Sequence, residues 1–208
     1  MTEIIENNDR YVVCIKPHGI ESEEKGMVSA LRKQLSSEIY PVHRLDKAAS
    51  GLMVFAKTKE AAAFLSEDIR ADRMRKEYLT VCAIRDIPDE GVFSDLMFHD
   101  RASNKSFIVK RMRKGVKECE LSYRVLARKD GLMLVRVSLG TGRTHQIRTQ
   151  FASRKMPIAG DRRYGSLFFC DLALFSCLLE FRDPATGERK RYEAAPNGYP
   201  FDRFNRAE

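Results

Sequence analysis

"YPVHRLDKAASGLMVFAKT", residues 40–58, sets His43, Arg44 and Asp46 directly ahead of an apolar run. The run "GLMVFAK" reads as a buried strand. Thr58 then caps a helix whose Ala62, Leu65 and Ile69 fall on one face. The polar cluster therefore occupies a loop at a strand entrance. A carboxylate there is a candidate nucleophile, general base or metal ligand. On local composition alone the simplest reading is an ion pair, Arg44 to Asp46. Ala48, Ala49 and Gly51 suggest a backbone that a substrate approaches closely.

Outward from this stretch, strands dominate. "YVVCIK" (11–16) reads as a strand ended by Pro17 and Gly19, and Met27, Leu31 and Leu35 recur at helical spacing over 26–36. "KEYLTVCAI", "SFIVKR", "CELSYRVLAR" and "LMLVRVSL" read as further strands, and residues 141–153 as a helix with Arg143 and His145 in its first turn. "LFSCLLEFR" and "RKRYEA" flank the turn-rich "DPATGE" as a closing hairpin. Few strand–helix–strand alternations occur. The expected fold class is α+β: a mixed, largely antiparallel twisted sheet flanked by helices, forming one catalytic domain over 1–208.

The 208 residues carry 37 Lys and Arg against 29 Asp and Glu, a net charge of +8. This balance favours a polyanionic partner. The run "RASNKSFIVKRMRKGVK" (101–117) holds seven basic residues and no acid, and "RADRMRK" (70–76) is a second basic stretch. Both are candidate grips on a phosphate backbone, with Lys76, Lys110, Arg111 and Arg113 the named contacts. The five cysteines form no C-x-x-C pair, which argues for free thiols, a cytoplasmic protein and no metal site. No apolar run reaches the length of a membrane span, so no membrane partner is expected. "GTGRTH" (140–145) departs from G-x-G-x-x-G because position 145 is His. It remains a candidate anion cradle ahead of a helix.

Several motifs resemble one family, the RluA-type RNA pseudouridine synthases. His43-Arg44-Leu45-Asp46 with Ser50-Gly51 is similar to the family's H-R-L-D and S-G; Lys76-Glu77-Tyr78 to its Lys-x-Tyr; and Thr141 to Arg148 to its T-G-R-T-H-Q-I-R. Gly160-Asp161-Arg162-Arg163-Tyr164-Gly165 and "KPHGI" fit two further segments, so the resemblance runs from about 11 to 195. Two departures stand out: Ala49 where relatives commonly have Thr, and "LALFSC" where they have Leu-x-x-His-Ala.

The resemblance implies the pseudouridine synthase fold and isomerisation of uridine to pseudouridine in ribosomal or transfer RNA, with no cofactor. It implies Asp46 as nucleophile, attacking C6 of the base or C1′ of the ribose or promoting a ribose-side elimination. It implies Arg148 as the partner of Asp46 and Tyr78 as the residue stacking on the flipped uracil. Arg44 is a candidate to fill the gap left by that base. Arg143 and His145 are expected to support a phosphate or the pocket wall. A monomer reading a short stem-loop by shape is expected, with no appended N-terminal RNA-binding domain. The competing reading is a non-catalytic RNA-binding or folding factor.

Overall fold

A computed structural model of the chain describes residues 1–204. The first strands are β1 (Glu3–Asn7), β2 (Tyr11–Lys16), β3 (Tyr40–Pro41) and β4 (Ser50–Ala56). Next come β5 (Arg75–Ala83), β6 (Glu90–Asp100), β7 (Lys105–Val109), β8 (Val116–Lys129) and β9 (Leu132–Leu139). The last are β10 (Leu174–Arg182) and β11 (Arg189–Glu193). Among the described residues three α-helices accompany them: α1 (Ser29–Leu35), α2 (Lys59–Arg70) and α3 (Gln146–Ser153). The class is α+β with largely antiparallel pairing, as the sequence leads one to expect. The described chain divides into two compact units, Met1–Lys76 with Phe175–Pro196, and Glu77–Leu174 with 197–204.

In the first unit β4 is central. It pairs antiparallel with β2 along its length, antiparallel with β3 at its end, and parallel with β10 at its start. That placement explains its unbroken apolar sequence, since both faces of the strand are covered. Leu52, Val54, Tyr11, Val13, Leu65 and Phe181 form the core against α2. The Thr58 hydroxyl caps that helix, accepting from the Ala61 amide at 3.1 Å. β10 and β11 form the expected hairpin, and the Asp183 carboxylate turns the connector by accepting from the Ala185 amide.

Gly51 is where expectation and structure part. Its φ is +114°, and a Cβ there would lie 2.4 Å from both the nitrogen and the oxygen of Ser176. The missing side chain admits strand β10, not a substrate.

The second unit is the antiparallel ladder β5-β9-β8-β6-β7. β8 alternates cleanly, with Cys119, Leu121, Tyr123 and Val125 buried and their neighbours exposed. Helix α3 covers this ladder through Ile147 and Phe151, the latter edge-on to Phe93 at 5.4 Å. The helix is shorter than its sequence suggests. Residues 141–145 are not helical, because the Gln146 side chain organises them as a loop. Its Oε1 accepts from Thr141 Oγ1 (2.8 Å) and the Arg143 amide (3.0 Å), and its Nε2 donates to the Glu120 carbonyl (2.9 Å). His145 sits at the N-cap with φ +58°.

Candidate active site

In the first unit the loop carrying Asp46 is pinned from three directions. β3 pairs only through Tyr40 and Pro41; beyond them the His43 side chain takes over, its Nε2 accepting from the Val54 amide at 3.2 Å. The imidazole must stay neutral to do so. Burial, assisted by the Lys76 charge, lowers its pKa to about 3. The Ser22 hydroxyl clasps Leu45 at both main-chain groups, donating to its carbonyl (2.9 Å) and accepting from its amide (3.0 Å). The Ala49 amide closes a turn on the Asp46 carbonyl at 2.9 Å. Ala49 thus contributes main chain to this loop, and its own side chain is buried.

The third anchor is Lys16, which sequence reasoning quoted without giving it a role. Its side chain is fully buried, and Nζ donates to the carbonyls of Pro17 (2.9 Å), Ile20 (2.7 Å) and Lys47 (3.1 Å). Burial lowers the Lys16 pKa to about 8, opposed by the charge of Asp46. An apolar strand ending in Lys-Pro is the signal that could have marked it, because a lysine closing a buried strand needs carbonyl partners. Asp46 itself is half-buried.

Arg44 does not pair with Asp46 as local composition suggests. It is exposed, and its guanidinium meets Glu23 at 2.9 Å. The basic stretch at 70–76 is also less available than its composition implies. Arg70 pairs with Glu67 and Arg73 with the buried Asp68, while Lys76 is half-buried with its pKa lowered by burial.

In the second unit Arg148 is 6% exposed on α3. It forms a bidentate pair with Asp161, Nε to Oδ2 at 2.7 Å and Nη2 to Oδ1 at 2.8 Å. Its guanidinium also lies 5.2 Å from the centre of the Tyr164 ring. The Tyr164 hydroxyl accepts from the Ser106 amide at 2.8 Å and lies 3.1 Å from His145 Nδ1. Ser106 Oγ donates to the Thr144 carbonyl (2.7 Å), so its contact with His99 Nδ1 at 3.1 Å is one in which the imidazole donates. Asp161, Tyr164 and Ser106 thus hold the segment bearing His145 and Arg148. The G-D-x-x-Y-G match pointed at two of them, but nothing in the sequence paired them with their partners. Tyr78 is buried on β5 opposite Val137 of β9.

Arg143 is exposed ahead of α3, not in its first turn, and its Nε donates to the Glu118 carbonyl. It lines a cleft of about 560 Å³ with Arg101, Lys117, His99 and Thr144. Several amides of the expected anion cradle are engaged: those of Gly140 and Thr141 by the Glu120 carbonyl and that of Arg143 by Gln146 Oε1. Lys110, Arg111 and Arg113 stand exposed between β7 and β8, with Arg113 over the Phe98 ring at 5.3 Å. Among the described residues no group of three His, Cys, Asp or Glu side chains is placed to hold a metal ion, and no helix is long and apolar enough to cross a membrane.

The RNA pseudouridylate synthase family model matches residues 10–153. The ribosomal large subunit pseudouridine synthase C of Salmonella typhimurium is 32% identical over 211 residues, which cover 92% of this chain and 65% of that protein. An RNA pseudouridine synthase of Bacillus subtilis is 33% identical over 156 residues, covering 74% of this chain and 50% of that one. The chain therefore spans between half and about two thirds of the length of these relatives. In fold it is similar to human RNA pseudouridylate synthase domain containing 4, with a TM-score of 0.78 at 22% identity over 93% of this chain and 88% of that one. The human domain containing 1 protein gives 0.79 at 19% identity, over 94% and 84%.

Proposed function

The chain belongs to the RNA pseudouridylate synthase family, and from that premise we propose that it isomerises a uridine of structured RNA to pseudouridine. The C1′–N1 bond breaks, a C1′–C5 bond forms, the C5 proton is lost and N1 gains a proton, so atoms balance as an isomerisation requires. The names of the bacterial relatives favour ribosomal RNA as the substrate class, and transfer RNA is the second candidate.

The observation that carries this reading is the H-R-L-D loop itself. Three anchors, buried Lys16 and Ser22 and half-buried His43, fix its main chain, and the carboxylate between them is itself half-buried. Main chain held from three sides keeps that carboxylate at a set position, as a nucleophile requires. In the proposed scheme Asp46 is the nucleophile. Attack at C6, attack at C1′ and ribose-side elimination all use the same ionised carboxylate.

A carboxylate withdrawn from water needs a positive charge to remain ionised. Arg148, oriented by Asp161 and Tyr164, is proposed to supply it; the guanidinium has donors beyond the two that Asp161 takes. Tyr78 is proposed to present its ring to the extruded uracil and to take part in the loss of the C5 proton. Arg44, exposed and held only by a surface ion pair, can exchange Glu23 for RNA at little cost, since such pairs contribute about 0–1 kcal/mol. Exposed Arg143, Lys110, Arg111 and Arg113 are proposed to grip phosphates, and buried His145 to support the wall of the site.

The test is Asp46→Ala, read by mass-spectrometric mapping of pseudouridine in RNA incubated with the purified chain. The expected result is RNA binding like that of the parent with no pseudouridine formed. Undiminished isomerisation would remove Asp46 from the chemistry. A parent chain that binds RNA and never isomerises it would favour the folding-factor reading.

A further inference from the structure

The turn that presents Asp161 and Tyr164 runs on into "SLFFC", residues 166–170. Exposure alternates along it. Ser166 is buried and Phe168 and Cys170 are half-buried, while Leu167 is 87% and Phe169 84% exposed. Single exposed apolar residues are ordinary on a protein surface. Two large ones projecting almost completely from five residues contribute nothing to a core, and adjacent exposed apolar groups mark contact sites.

The surroundings are cationic. The Arg162 guanidinium lies 4.9 Å from the centre of the Phe169 ring. Arg163 Nη1 donates to the carbonyls of Ser103 and Asn104, at 2.8 and 3.2 Å, and so ties this turn to the tip of the β6–β7 hairpin. Lys105, at that tip, places Nζ 5.4 Å from the centre of the Tyr164 ring. Of the nearby acids, Asp161 is engaged by Arg148 and Asp100 by the Ser103 hydroxyl and the Ala102 amide, while Asp171 follows the segment on the surface, one acid against Arg162, Arg163 and Lys105.

We propose that Leu167 and Phe169 form a stacking site for an unpaired RNA nucleobase, with Arg162 and Lys105 taking the flanking phosphates. This rests on the RNA-modifying reading above and adds a contact outside the motif residues. An exposed aromatic ring beside cations is the arrangement that single-stranded nucleic acid exploits, because every base has a π-face and every linkage a charge. A protein partner or a second copy would cover the apolar residues equally well, but would gain little from the arginine on the ring. The charge around the patch selects the polyanion.

The experiment measures binding of the full chain to a short single-stranded oligouridylate and to a fully paired RNA duplex across a salt series. Phe169→Ala is expected to weaken single-strand binding about 5- to 150-fold, the range of one aromatic stack. Duplex affinity and the slope of log K against log salt should be unchanged, and Phe169→Tyr should restore binding. The melting temperature should not move, because the ring is exposed.

Unchanged single-strand binding in Phe169→Ala, or an equal loss on both RNAs, overturns the proposal. So does a variant that alters only self-association in sedimentation, which would make the patch a protein interface. A parent chain that binds neither RNA sinks the RNA reading as well. A parent that forms pseudouridine while Phe169→Ala matches it in binding sinks this inference alone.

Discussion

The Asp46 loop is held by side chains bonded to main chain, and the Arg148 cluster depends in addition on pairs of side chains. Around Asp46, side chains reach main chain: Lys16 to three carbonyls, Ser22 to both groups of Leu45, His43 to the Val54 amide. Around Arg148, contacts to main chain from Ser106 and Gln146 are joined by pairs of side chains: Arg148 with Asp161, His145 with Tyr164, Thr141 with Gln146. Backbone anchoring fixes a loop whatever residues it bears, so long as the anchor is present. Side-chain anchoring requires both partners. The second region should therefore be the more fragile to a single substitution, and the first should reveal itself more through pH.

Asp161→Asn tests the fragile side and carries the largest expected effect. It withdraws a bidentate carboxylate from a buried guanidinium, which costs about 3–5 kcal/mol when one partner of a buried pair is removed. Urea unfolding measures it. A loss under 1 kcal/mol would show that the pair is not what holds α3 to the 160–165 turn, and the contrast between the regions would fail.

Lys16→Met comes next. It removes the donor from three carbonyls at a cost of about 1–3 kcal/mol. It also has a pH signature. The folded chain releases the Lys16 proton near pH 8, while the unfolded chain keeps it to about 10.5. The cost of burying the charge is fully present below pH 8 and is relieved as pH rises through that window, so this residue makes stability climb there. The Met variant should lack that rise. A parent whose stability is flat from pH 8 to 10 would remove Lys16 from the account.

His43→Gln carries the smallest effect, about 1 kcal/mol at neutral pH for one altered hydrogen bond. Its pH window lies elsewhere. Between pH 6.5 and about 3 the unfolded chain binds a proton that the buried imidazole refuses, so stability falls as acid is added. The Gln variant should lose that part of the acid slope in thermal melts. If parent and variant share one acid limb, His43 is not the neutral acceptor of the Val54 amide.

Much of the fold was legible because periodicity is local. β2, β4, β8, β9, the capped α2 and the β10–β11 hairpin all follow from apolar pattern and turn chemistry. β1 and β6 were not anticipated. β1 is a polar edge strand with two of its five residues partly buried, and β6 buries only Phe93 and Met97 without strict alternation. The helical reading of 141–145 failed for a different reason. Gln146 competes for the backbone there, and a side chain folded back on its own loop leaves no periodic trace.

The order of residues along the chain settled which side chains are candidates for the chemistry, because H-R-L-D, K-E-Y and T-G-R-T-H-Q-I-R are contiguous stretches. Tertiary structure alone decided what surrounds them: that Arg44 meets Glu23, that Gly51 yields its space to β10, that Lys16 clasps three carbonyls and Arg148 grips Asp161. The physical reason is reach. Propensity and pattern act over a few neighbouring residues, whereas a buried charge takes whichever partner the packed chain brings within hydrogen-bonding distance, regardless of sequence separation.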